Sequence, residues 1–120
     1  MRFAMKTRAL SLTVVFFAFT GTAIAGPYDG TYRYDNGWNC RDIGSDGGAI
    51  RIANGRFQGV ENNCRMTNPV AIRGMKATLY DRDCSGEGET WSDRIMLMRQ
   101  DGGKLLIVNQ GVSHVWQRCP

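Results

Sequence analysis

Polar and apolar residues alternate along much of the chain, and the alternation is broken repeatedly by glycine, asparagine or aspartate. A period of two is the signature of half-buried strands. Thr31-Tyr32-Arg33-Tyr34 has it, and Asp35-Asn36-Gly37 ends that run. A glycine-rich, irregular loop carrying Trp38 and Cys40 is expected next. Ala49–Ala53 puts Ile50 and Ile52 on one face. Asn54-Gly55 then predicts a hairpin, because a type I′ turn requires positive φ at both central positions. The segment 56–62 is expected to return antiparallel and lead to Cys64. Pro69 opens a new segment. Over 71–80 the pattern predicts Met75, Ala77 and Leu79 toward the core and Lys76, Thr78 and Tyr80 away from it. An acidic loop is expected over 81–89. Ile95-Met96-Leu97-Met98 and Leu105-Leu106-Ile107-Val108 flank a reversal at Asp101-Gly102-Gly103 and read as the best-buried hairpin, apolar on both faces. With 15 glycines and no sustained 3.6-residue period, the prediction is all-β. The expected form is a small antiparallel meander closed or partly closed as a barrel, stapled by two disulfides, with an open sandwich as the alternative.

The first 25 residues have a different logic. Arg2, Lys6 and Arg8 precede an apolar stretch centred on Val14-Val15-Phe16-Phe17, and Ala23-Ile24-Ala25 has the small-x-small form of a signal-peptidase site. This reads as a secretory signal over 1–25, cut before Gly26, with a single β domain over 26–120 and a loose new terminus. The apolar run is shorter than the ~20 residues that span a bilayer, so no membrane span is expected after cleavage. Secretion or a periplasmic location follows.

Cleavage also alters the charge. Of the 15 basic residues the leader holds three, leaving 12 against 11 acidic ones. A nucleic-acid partner would require a basic excess to displace counterions, and none remains. Arg41, Arg51, Arg56, Arg65 and Arg73 alternate with apolar residues and read as the outer faces of strands.

All four cysteines, Cys40, Cys64, Cys84 and Cys119, lie beyond the leader. An even number in an oxidising compartment reads as two disulfides. Zinc is a poor alternative, since there is no C-x-x-C pair and His114 is the sole histidine. Of the three possible pairings the sequential one, Cys40–Cys64 and Cys84–Cys119, is favoured here because Cys40 and Cys64 flank one end of the first hairpin. It would close loops of about 24 and 35 residues, each contributing roughly 3 to 4 kcal/mol. One tension stands against it: in a simple up-and-down order Cys84 and Cys119 fall at opposite ends of their strands.

The expected 81–89 loop concentrates the candidate chemistry. Asp81, Asp83, Ser85 and Glu87 are spaced like the opening of a calcium loop, with Gly86 at the turn position. The twelfth position is Ser92 instead of glutamate, which weakens the pattern. Glu87 and Glu89 share one tip, whereas a glycosidase sets its two carboxyls across a cleft in different environments. Ser85 has only His114 as a conceivable base, and nothing in the sequence brings them together. The loop therefore reads as a binding element without catalysis, comprising Ser85, Gly86, Glu87, Glu89 and Trp91. The three tryptophans, with Tyr28, Tyr32, Tyr34 and Tyr80, are expected mostly in the core. A partly exposed group near Trp38 or Tyr32–Tyr34 is the alternative, as a docking patch.

Gly30-Thr31-Tyr32, Cys40, Ile50-Arg51-Ile52, Glu61 with Cys64, Cys84-Ser85 with Glu87-Gly88-Glu89, and Arg118-Cys119 form a pattern that resembles small exported two-disulfide proteins of Gram-negative, especially alphaproteobacterial, bacteria. That resemblance implies compartment and framework and no particular activity. Ser85-Gly86 also resembles the start of the Ser-Gly-x-x-Tyr loop of the periplasmic inhibitors of c-type lysozyme, which are small disulfide-bearing β-barrels. Glu89 stands where their tyrosine would be. The expectation is a monomeric, non-catalytic periplasmic protein that binds a macromolecule, a lysozyme-like lytic enzyme being the specific case. The alternative is a structural or stress-related envelope protein whose acidic loop binds calcium or nothing.

Overall fold

Eight strands follow one another in a computed structural model that describes residues 2–18 and 26–120. They are β1 (Gly30–Arg33), β2 (Ala49–Ala53), β3 (Arg56–Gly59), β4 (Asn62–Ala71), β5 (Ala77–Gly86), β6 (Glu89–Arg99), β7 (Leu105–Asn109) and β8 (Val112–Arg118). Each pairs antiparallel with the next, and β8 returns to β1, so the meander closes as a barrel. Residues 2–18 carry no regular structure, and the expected cleavage site at 23–25 lies outside the described residues. Among the described residues no helix is long and apolar enough to cross a membrane.

The turns follow local chemistry. Asn54-Gly55 has φ of 53° and 73°, the double positive value a type I′ turn needs. Glu87-Gly88 repeats it at 51° and 77° between β5 and β6. Val60-Glu61 forms a turn that the sequence conceals. Its positive φ of 56° falls on a glutamate, and it splits the expected 56–62 strand in two. Both β4 and β5 are longer than expected: β4 runs through Pro69, and β5 replaces most of the expected acidic loop.

The interior is built from alternate residues. Tyr32, Ile50, Ile52, Phe57, Cys64, Cys84, Ile95, Leu97, Leu105 and Ile107 form one buried cluster. On β5 the expected faces are exchanged. Tyr80, Arg82 and Cys84 face the core cluster, whereas Met75, in the preceding turn, is 50% exposed. Leu79 lies outside the cluster, and only Ala77 of the expected trio is buried. Cys84 sets the phase, because a strand residue and its second neighbours share a face. Two inward polar groups of β5 find partners: Thr78 Oγ1 hydrogen-bonds the Tyr28 hydroxyl at 2.8 Å, and Arg82 is paired with Asp93. The terminal hairpin is as expected on its inner face. Its outer residues Met96, Met98, Leu106 and Val108 are only half-buried, so it is not covered on both sides.

The start of the fold is held rather than loose. Tyr28 is buried at one end of the barrel, its carbonyl accepts a hydrogen bond from the Tyr32 hydroxyl at 2.7 Å, and Arg99 Nη2 donates to the Pro27 carbonyl. The 34–48 loop is ordered by its own polar groups, Asn39 Oδ1 accepting from the backbone N–H of Arg41 and of Asp42.

The disulfides are Cys40–Cys119 and Cys64–Cys84, which corrects the sequential pairing. Once Val60-Glu61 turns the chain, Cys64 lies on β4 directly opposite Cys84 of β5, with 4.0 Å between their Cα atoms. Directly opposed residues of an antiparallel pair come this close only where they do not exchange backbone hydrogen bonds. Cys119 N donates to Thr31 O at 2.9 Å, so barrel closure brings the chain's end beside β1 and within reach of the loop that follows it. The bonds span 79 and 20 residues. Removing the longer one as Cys40→Ala/Cys119→Ala is expected to cost about 4.5 kcal/mol, against about 3.3 kcal/mol for Cys64→Ala/Cys84→Ala. Peptide mapping without reductant checks the pairing, and urea unfolding checks the order of the two costs.

Candidate functional site

One end of the barrel, its mouth, bears the turns Val60-Glu61, Glu87-Gly88 and Gln110-Gly111. Its rim is uneven. The β5–β6 ladder runs from Ala77↔Met98 to Gly86↔Glu89, whereas β7 meets β6 only from Met96 to Arg99. Residues 89–94 of β6 therefore carry no strand on their second edge among the described residues, a length of about 20 Å at ~3.3 Å per residue. The end of the β5–β6 hairpin stands beyond β7 and β8 as a ribbon.

Ser85, Gly86, Glu87, Glu89 and Trp91 all lie at that ribbon's tip, as a tight two-residue turn rather than a nine-residue loop. Gly86 packs so closely on the neighbouring turn that a Cβ there would meet the Glu61 carbonyl at 2.5 Å. Trp91 stands opposite Cys84 in the ladder. Because it lies beyond the packed interior, it is 38% exposed. Val60, Glu61, Asn62, Gly86, Glu87, Glu89 and Trp91 line a depression of about 450 Å³ on the tip. Glu61, which belongs to a different turn, completes the acidic group. A hydrogen bond shared with Glu87 and repulsion from its charge, with a smaller push from Asp46, hold the Glu61 carboxyl above its ordinary range.

The calcium set is placed differently from the expectation. Asp81, Asp83 and Ser85 lie at alternate positions on the outer face of β5, where same-face neighbours are about 6.6 Å apart along the strand. Their carboxylates are already engaged. Asp81 accepts from Arg94 Nε and from Asn68 Nδ2, both at 2.9 Å. Asp83 accepts from the Ser92 hydroxyl at 2.8 Å and faces Arg65 at 3.6 Å. The bonds from Asn68 and Arg94 hold Asp81 below the usual carboxylate range. Among the described residues no group of three or more His, Cys, Asp or Glu is arranged to hold a metal.

Inside the mouth is a feature the sequence reading missed. Arg82 is buried to 7% exposure. Its Nε donates to Asp93 Oδ1 at 2.8 Å and its Nη2 to Oδ2 at 2.7 Å, and its guanidinium lies over the Phe57 ring, 4.8 Å from the centroid. Above this pair is a cavity of about 270 Å³ lined by Arg82, Ile50, Phe57, Ile107 and, at the rim, Asn62, Asn109, Val112, Tyr34, His114 and Trp116. The aromatic rim is the partly exposed group expected near Trp38. Tyr34 and His114 stack with centroids 3.6 Å apart, and Trp116 meets Tyr34 edge-on at 5.4 Å. Trp38 packs on Tyr34 at 5.5 Å. His114 Nε2 donates to the Tyr34 carbonyl at 2.8 Å. His114 faces inward while Ser85 is on the outer face of β5, so the two do not form a nucleophile–base pair.

No family model, no curated protein and no solved structure matches the chain. The functional reading therefore rests on the geometry of the mouth and tip.

Two outcomes follow. Asp93→Ala strands a buried guanidinium and is expected to lower stability by about 3 to 5 kcal/mol, whereas replacing both partners as Arg82→Met/Asp93→Asn costs far less; urea unfolding of the two variants measures the difference. In a carboxyl-resolved NMR titration Glu61 should titrate above the ordinary glutamate value, and Glu87→Gln should bring it down. The sign follows from a raised folded-state pKa: the contribution of this contact is fully present below the unfolded value and is lost as pH rises through the folded one.

Proposed function

We propose that this is a non-catalytic binding protein of the bacterial envelope, secreted or periplasmic, that uses the β5–β6 tip to engage a basic protein partner. A lysozyme-like lytic enzyme is the leading case. The observation that carries the reading is the ribbon itself: its tip gathers Glu61, Glu87 and Glu89 around the exposed Trp91, and its second edge is unpaired from Glu89 to Arg94. A tryptophan amid like charges suits an interface hot spot, in which an aromatic anchor is desolvated and the surrounding charges steer the encounter. A bare strand edge offers backbone N–H and C=O groups to an extended segment of the partner. The groove beside that edge, lined by Leu79, Ser92, Arg94, Met96 and Val108 among others, supplies apolar contact.

Two disulfides in a chain of this length support an oxidising compartment. Glu87 and Glu89 lie on one projecting hairpin with Glu61 on the adjacent turn, which suits contact with a partner's cationic surface better than hydrolysis within a cleft.

Immobilised protein should retain c-type lysozyme at low salt and inhibit its lysis of cell walls. Glu87→Lys/Glu89→Lys should weaken retention at least about tenfold, chiefly through slower association. Trp91→Ala should weaken it through faster dissociation, and Ser85→Ala reports whether the hydroxyl enters the contact. Absence of retention by the native protein, or retention unchanged by both the charge reversal and Trp91→Ala, would rule out the tip as the binding element.

A further inference from the structure

The cavity inside the mouth adjoins the tip's depression at Val60 and Asn62 but has a built chemistry of its own. Its inner wall is apolar, from Ile50, Phe57 and Ile107, with Trp116 at the rim. Its polar anchor is Arg82. Asp93 occupies Nε and Nη2, which leaves Nη1 without a protein acceptor among the described residues. That nitrogen is not among the fully buried side-chain nitrogens that lack a partner; among the described residues that state falls on Arg33 Nε, outside the cavity lining. A guanidinium that lines a cavity and retains unused N–H groups is a donor awaiting an acceptor.

We infer that this cavity binds a small, neutral aromatic molecule carrying a carbonyl-type acceptor at one end. Size sets the first limit. A dry cavity of about 150 Å³ holds a benzene, so 270 Å³ has room for on the order of ten non-hydrogen atoms. The lining sets the second, because a flat ring lies well against Phe57 and Trp116 while aliphatic side chains close the remaining wall. Charge sets the third. Asp93 already balances Arg82, so a carboxylate would bring a second negative charge into the interior beside it. A cation would meet the guanidinium instead. A neutral carbonyl accepts from Nη1 and adds no charge, which avoids the desolvation cost of an ion.

Benzamide is a probe of the right size, with benzoate and benzylammonium as its charged counterparts and ethylbenzene as an apolar one. Titration into the full two-disulfide protein, followed by amide chemical shifts and tryptophan fluorescence, should give saturable binding of benzamide at one site. The shifts should concentrate on residues 50, 57, 82, 107 and 116. Benzoate and benzylammonium should bind at least about tenfold more weakly, given the cost of burying an ion. In Arg82→Met/Asp93→Asn the preference for benzamide over ethylbenzene should fall by about tenfold, the value of one hydrogen bond from a charged donor. Ile107→Phe, which fills the space without touching the ion pair, should abolish binding of both probes with the circular dichroism spectrum unchanged. The proposal is overturned by shifts that do not saturate or that scatter over the outer surface, by tighter binding of either charged probe, or by a benzamide preference that survives in the double variant. Loss of lysozyme retention in the tip variants, with benzamide binding intact, would leave this site standing by itself.

Discussion

The barrel depends on a short seam. β1 and β8 share only the pairs Tyr32↔Arg118 and Arg33↔Gln117, against ten between β5 and β6. An open edge at this place would expose the backbone of both strands and drain the interior of its enclosure, the liability that closure removes. The seam is reinforced from both sides. Cys40–Cys119 ties the loop after β1 to the chain's end, and Cys119 N extends the pairing onto Thr31 O. Tyr28, with Tyr32 above it, fills the end below. A domain of this size buries a limited apolar core, so a covalent link across its weakest ladder has a large share in holding the cylinder shut.

Closure also decides what the interior can contain. Eight strands leave a space that side chains just fill or that holds one small ligand. Lower in the barrel the aliphatic and tyrosine side chains fill it. Toward the mouth the filling is replaced by an ion pair, Arg82–Asp93, stacked on Phe57. A buried pair of this kind is poor at adding stability but costly to break. Its effect here is positional: it fixes a guanidinium under a cavity whose rim is aromatic. Rim, anchor and wall come from six different strands, the loop after β1 and the Val60-Glu61 turn, and only the closed cylinder brings them together.

The acidic tip has a different origin. It exists because β5 and β6 are longer than β7 and β8, so their hairpin outruns its neighbours. The stagger leaves Trp91 beyond the core although it occupies an inward position in the ladder. It also places Glu61, from the adjacent turn, against Glu87. A glutamate whose proton affinity is raised by a neighbouring carboxylate costs little on an exposed surface, and a basic partner would relieve the repulsion.

Much of this was legible from local pattern. The strand periodicity, the Asn54-Gly55 turn, the absence of helix and the even count of cysteines determined an all-β, disulfide-linked meander, because each rests on residues within a few positions of one another. The errors share one cause. Val60-Glu61 lacks the glycine or asparagine that usually marks positive φ, so the split of 56–62 went unseen, and with it the register that sets Cys64 opposite Cys84. The local pattern puts Met75, Ala77 and Leu79 toward the core, whereas Cys84 and the inward Asp93 on the partner strand place Tyr80 and Arg82 inside. Asp81, Asp83 and Ser85 looked like a loop because their strand's outer face is polar. Ser85, Gly86, Glu87, Glu89 and Trp91 adjoin one turn, so their proximity follows from the sequence. The sequence by itself determined the strands and most of their turns. Register, barrel closure and strand stagger were decided only by the tertiary structure, because a ladder's alignment depends on partners distant in the chain and one shifted residue exchanges its two faces.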